Sequence, residues 1–101
     1  MIGREFKFHD GEKGAALAIR VIAGKEVEKI DTILKDGTVV VHLKIHDAEL
    51  NLELIKFLAD ELGIAKKRFD VIAGVEGDDK IVSIINIKPD EIQNLILKKI
   101  S

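Results

Sequence analysis

Between Asp47 and Gly63 the sequence spells an amphipathic helix with both ends marked, and no other stretch limits the possible folds as strongly. Asp47 can accept hydrogen bonds from the free amides of the first turn, Glu49 stands beside the positive end of the helix dipole, and Gly63 supplies a left-handed stop. Leu54, Ile55, Leu58, Ala59 and Leu62 recur at helical spacing on one stripe, while Glu53, Lys56, Asp60 and Glu61 occupy other faces. Fully burying each large member of that stripe stabilises the fold by roughly 1.5–3 kcal/mol, so the helix needs an apolar partner of its own size. Only a sheet or a second helix can provide one.

The segments on either side have the alternation of strands. Arg4 to Phe8 alternates charged and aromatic residues, and the turn-rich His9-Asp10-Gly11-Glu12-Lys13-Gly14 predicts that the chain folds back. Ala16 to Ala23 sets Leu17, Ile19, Val21 and Ala23 on one side and Ala18, Arg20 and Ile22 on the other. Val27 to Leu34 reads as a second, short strand that leaves an exposed edge, and Lys35-Asp36-Gly37 as a tight hairpin reversal. Thr38 to Ile45 then alternates Val39, Val41, Leu43 and Ile45 against Val40, His42 and Lys44. After the helix, Lys66-Lys67-Arg68 is expected to be a solvated connection, Phe69 to Ala73 a strand, Gly74 to Asp79 a turn, and Lys80 to Ile87 an interior strand, apolar on both faces. Pro89 opens a last helix at its favoured first position; Asp90 and Glu91 lie at its start, Lys98 and Lys99 at its end, and Ile92, Leu95, Ile96 and Ile100 form its stripe. The order predicts an α+β fold, a two-layer α/β sandwich in which two helices lie on one face of a mixed sheet of about four to five strands. The words Val21-Ile22-Ala23-Gly24 and Val71-Ile72-Ala73-Gly74 coincide, which fits either a duplicated strand-strand-helix unit or convergence on a common way of ending a strand.

A chain of 101 residues with 47% apolar and 34% charged side chains fits a single domain over 1–101 with a real core. Its formal net charge of −2, with both signs interspersed, excludes the general basicity that draws proteins to nucleic acids or anionic membranes, though not a local basic patch. There is no cysteine, hence no disulfide or thiolate chemistry, in keeping with a cytoplasmic protein. No apolar run approaches the 18 or so residues of a membrane helix, and no signal-peptide core follows Met1.

The strand Leu17 to Ile22, the Asp36-Gly37 reversal leading into Val39 to Ile45, Asn51 with Leu54-Ile55-Lys56-Phe57-Leu58, and Gly74 with Lys80 together resemble the YggU-like family of small uncharacterised proteins. The resemblance runs from about Phe6 to Ile96 and implies a two-layer α/β fold, with Asn51 and Lys80 at polar positions of the family's motifs. Ala23, Ile45 to Leu50 and Gly77-Asp78 depart from the family pattern, which has prolines, a Gly-Lys-Ala segment and Ser-Arg there; an aspartate in place of that arginine reverses the charge of any anion site on the loop. The family brings no agreed activity with it.

The candidate binding residues are therefore Asn51, Lys80, Arg20, His42 and Lys44. An amine at Lys80 and an amide at Asn51 near the mouth of the central helix would form a small polar site, or else a network that anchors a loop. Arg20, His42 and Lys44 on the outer face of the sheet would form a basic platform for RNA or a ribonucleoprotein partner, or else the wet side of a sheet covered on one side only. His42 and His46 lie about 13 Å apart on a strand, too far to share a metal ion. Gly74-Val75-Glu76-Gly77 has the letters of the KH backbone clamp but joins strands and runs into Asp78-Asp79, and Glu76, Asp78 and Asp79 read as a cation cradle or a solvated hairpin tip. Ser83 lies within a strand without a nucleophile elbow. No cofactor or metal is expected. The expectation is a non-catalytic binding module, monomeric or weakly dimeric, with a protein or RNA partner; the alternative is a small enzyme with its site at Asn51 and Lys80.

Overall fold

The computed structural model describes residues 2–7, 12–45 and 49–100, and of residues 6 and 7 the backbone alone. Its elements are β1 (Gly3–Lys7), β2 (Lys13–Ile22), β3 (Lys29–Ile33), β4 (Val39–His42), α1 (Leu50–Leu62), β5 (Phe69–Ala73), β6 (Asp79–Ile85) and α2 (Pro89–Ile100), with a 3-10 turn at Lys66–Arg68 leading into β5. They form an α+β sandwich with a six-stranded mixed sheet in the order β3-β4-β2-β6-β5 and β1 attached to β2. Six strands exceed the four to five expected, because β2 is long enough to serve two partners on one side. β1 runs antiparallel to its first half, from Gly3 opposite Leu17 to Lys7 opposite Lys13. β4 runs parallel to its second half, from Val39 beside Ile19 to His42 beside Ile22. The other side of β2 pairs with β6, from Gly14 opposite Ile85 to Arg20 opposite Asp79.

Register decides which side chains are dry. Leu17, Ile19 and Val21 share a face with Val82, Val39 and Val41, and all are buried in one cluster with Leu54, Leu58 and Leu62 of α1 and Ile92 and Ile96 of α2. Both helices therefore cover one face. On α1 the stripe differs at one place from that expected: Phe57 is buried and Ile55 only partly so. Gly63 ends α1 in the left-handed conformation and its N–H reaches the carbonyl of Ala59; Asp47, the expected cap, and His46 lie outside the described residues.

Several boundaries moved. β2 starts at Lys13 and stops at Ile22, β4 is only Val39–His42, and β6 stops at Ile85 because Asn86 turns left-handed with φ 60°. The reversal between β3 and β4 is as expected: Gly37 has φ 90°, and the Leu34 N–H donates to the Thr38 carbonyl at 2.8 Å. The antiparallel pairing of β1 with β2 requires the expected fold-back, whose residues 8–11 lie outside those described. The repeated Val-Ile-Ala-Gly words both end at a left-handed glycine, Gly24 with φ 75° and Gly74 with φ 70°. The likeness stops there, since β5 pairs directly with the strand that follows it and β2 does not.

The two ends of the chain meet. The Ile2 N–H donates to Gln93 Oε1 at 3.0 Å, and a Cβ on Gly3 would lie 3.1 Å from Ile92 Cγ2 and 3.4 Å from Leu17 Cδ2. The two nearest are side-chain atoms and the Pro89 Cα stands at an ordinary contact distance of 3.7 Å, so Gly3→Ala is expected to cost only about 1 kcal/mol through slight overpacking, read as a small drop in urea midpoint with an unchanged slope.

Candidate functional site

Lys80 lies opposite Ile19, so the alternation of β6 aims its side chain into the helix-covered face, where it is 2% exposed. Its Nζ donates to the carbonyls of Gly74 at 2.9 Å and Val75 at 3.1 Å. Burial pushes the ammonium pKa below its ordinary value of 10.5, and the nearby Asp78 carboxylate opposes that shift. Asn51, in the first turn of α1, donates Nδ2 to the same Val75 carbonyl at 2.9 Å. The two polar positions thus converge on one oxygen at the tip of the β5–β6 hairpin. The corner is a joint filled by protein groups, with one exception: Asn51 Oδ1 is buried without a hydrogen-bond partner among the described residues.

The hairpin tip is backbone-limited. Gly74 takes a positive φ, its carbonyl also accepts the Gly77 N–H at 3.2 Å, and the Asp78 carbonyl accepts the Val21 N–H at 2.8 Å. The carbonyls of Gly74 and Val75 face Lys80 and Asn51, the reverse of what a phosphate-binding G-x-x-G clamp requires, which is amides facing outward. Among the described residues no three His, Asp or Glu side chains stand together in a way that could hold a metal ion.

On the outer face the expected platform is only partly assembled. Arg20 and His42 do share that face, since Arg20 lies beside Val40 and Ile22 beside His42. Lys44 lies beyond the end of β4, where its backbone N–H donates to Glu28 Oε2 at 3.1 Å. Carboxylates stand beside the basic groups of this face: Arg20 Nε lies 2.8 Å from Asp79 Oδ1, and Asp31 lies 3.4 Å from Lys29 Nζ and 3.5 Å from His42 Nε2. The hydrogen bond from Asp79 and its charge raise the Arg20 pKa above its ordinary value. The face is therefore close to charge-balanced. Ser83 is fully buried on it, with Oγ 3.5 Å from the Asp70 carbonyl.

Two features escaped the sequence reading. The first is Arg68, expected to be solvated with Lys66 and Lys67. It donates Nε to the Ile85 carbonyl at 2.9 Å and Nη2 to the Asn86 carbonyl at 2.6 Å, pinning the left-handed turn between β6 and α2. The second is a hollow of about 410 Å³ on the outer face, where β2 passes from pairing with β1 to pairing with β4. Its floor is Ala16, Ala18 and Ile81, and Arg4, Asp36 and Thr38 stand around it. The Thr38 N–H donates to Asp36 Oδ1 at 2.9 Å; this bond, one from the Thr38 hydroxyl and the charge of Arg20 hold the Asp36 carboxyl below its usual pKa. Small residues alternating along β2 were a visible signal. That one strand edge is shared by two partners was not, because the pairing is non-local. No protein-family model matches the chain.

Proposed function

We propose that this chain is a non-catalytic binding module of YggU-like type, working in the cytoplasm, whose docking surface for a protein partner is the outer sheet face around the hollow between β1 and β4. The observation that carries this reading is the hollow itself: an alanine floor of the size that takes one apolar side chain or a short extended segment, beside a guanidinium without an ion pair among the described residues, Arg4, and a carboxylate, Asp36, kept ionised. The ion pairs Arg20–Asp79 and Lys29–Asp31 favour a protein over RNA, since phosphates need surplus positive charge. Lys80 and Asn51 support the non-catalytic side of the reading, because their donors are occupied in holding a turn. The resemblance set out above, the cysteine-free composition and the absence among the described residues of any helix long and apolar enough to cross a membrane support the remaining parts.

Ala18→Arg fills the hollow from its floor, on the sheet face opposite the one the helices cover. In affinity captures from the host's own extract, wild-type protein is expected to retain at least one protein that Ala18→Arg loses, with the circular dichroism of the two proteins the same. Identical captures would refute the docking surface. Salt-sensitive binding of mixed single-stranded RNA by the wild type, followed by fluorescence anisotropy at low and moderate salt, would transfer the site to RNA.

A further inference from the structure

Among the described residues β1, paired only with β2, leaves one strand edge open, and the path of the sheet ends at two more, β3 and β5, which differ. β3 carries its own guards: Lys29 and Asp31 lie within the strand, 3.4 Å apart, and a register shift between Ile30 and Thr32 breaks its line. β5 has a single charge within it, the exposed Asp70, and its own irregularity, between Val71 and Ala73, displaces an apolar residue: Ile72 is 40% exposed. The charges around β5 are sorted by sign. Lys66 and Lys67 precede the strand, Glu76 and Asp78 follow it, and none of the four makes an ion pair or side-chain hydrogen bond among the described residues. Five residues at about 3.3 Å each separate the two groups by roughly 17 Å, about twice the screening length at physiological salt, so they do not neutralise each other within one molecule.

An antiparallel twofold through the middle of β5 brings each group opposite the other. Under such an operation, with Val71 at the axis, Ile72 of one copy lies opposite the partner's Asp70, and the turn at Lys66–Arg68 of one copy lies toward the β5–β6 turn of the other. The basic entrance of each copy then meets the acidic exit of its partner twice, with the exposed isoleucines between. We propose that β5 is the edge through which two copies of this chain pair, joining their sheets into one of twelve strands, and that Lys66 and Lys67 against Glu76 and Asp78 set the register. A five-residue edge with few flanking contacts buries less than the ~1,200 Å² of a standard interface, so the dimer is weak, with a Kd on the order of tens to hundreds of micromolar, and it loosens with salt. This edge is separate from the hollow on the outer face, and Ala18→Arg leaves the pairing intact.

Charge reversal tests the arrangement with the whole chain. Lys66→Glu/Lys67→Glu makes both ends of the strand acidic, and Glu76→Lys/Asp78→Lys makes both ends basic. In sedimentation-velocity runs from about 10 µM to 1 mM at low salt, a range bracketing that Kd, wild type is expected to move from monomer to dimer. Each double variant alone is expected to stay monomeric, at least tenfold weaker in association, and an equimolar mixture of the two is expected to regain the dimer because both contacts become attractive again. Circular dichroism of each variant guards against misfolding, since all four positions are exposed. A wild type that stays monomeric throughout, reversals that leave association unchanged, or a mixture that remains monomeric would each overturn the proposal.

Discussion

Gly74→Ala is expected to destabilise the protein by roughly 3 kcal/mol or more, while Gly63→Ala, at nearly the same backbone angles, costs only about 1 kcal/mol. Gly74 has φ 70° and Gly63 φ 67°, so the left-handed penalty is common to both. The surroundings differ. A Cβ on Gly63 meets nothing within 4 Å, whereas one on Gly74 would lie 1.9 Å from the Asp79 carbonyl oxygen and 3.0 Å from Lys80 Cα, and this is backbone that cannot step aside like a side chain. Opening that contact pulls the hairpin tip away from Lys80 Nζ and loses the buried amine's two acceptors. At about 4–8 °C per kcal/mol for a domain of this size, the drop in midpoint temperature would be of order 15 °C, measurable by scanning calorimetry. Equal losses for the two variants would mean that the tip relaxes freely and positions nothing.

The second large effect separates the stem of Lys80 from its charge. Lys80→Ala leaves a void on the helix-covered face beside Ile19 and is expected to cost roughly 2–4 kcal/mol. Lys80→Met keeps the volume and is expected to stay within about 1 kcal/mol of wild type, because the Gly74 carbonyl retains the Gly77 N–H, the Val75 carbonyl retains Asn51 Nδ2, and the desolvation of an ammonium is no longer required. The pH dependence has a definite sign. Burial puts the folded-state pKa below the 10.5 of the unfolded chain, so in the window between the two values the unfolded state holds the extra proton. Stability carried by this group is therefore at its lower level below the folded pKa and rises with pH up to about 10.5. Urea midpoints from pH 7 to 10.5 should converge toward those of Lys80→Met as pH rises. A wild type that loses stability relative to Lys80→Met across that window would reverse the assignment and make the charge, rather than the stem, what the fold needs.

What the sequence disclosed follows the range of the forces involved. The stripe on α1, the Asp36-Gly37 reversal, the interior character of β6 and the proline-led start of α2 are local signals, written in residues a few positions apart, and they could be read directly. Arg68 could not, since its partners at Ile85 and Asn86 lie in another strand, and a run of three basic residues looks solvated until the fold brings those carbonyls near. Lys80 was picked out as polar by a motif, but alternation alone could not say that its side chain pointed toward the helices, because β6 is apolar on both faces. The same limit applies to the hollow. Its alanines were visible as a row on β2, yet their exposure depends on β1 stopping opposite Leu17 and β4 starting beside Ile19, and no local pattern fixes where two separate strands leave a gap.

The stitching of Ile2 to Gln93, and of Gly3 against Ile92, bears on how the molecule is born. Synthesis must pass Gln93 before β1 has its roof, so nascent intermediates that lack α2 leave that strand uncovered. Closure then locks β1 and α2 together, and non-local closures of this kind are the slow, aggregation-exposed steps of folding. Any partner that shields the bare side during synthesis meets the protein in a shape the finished molecule never shows.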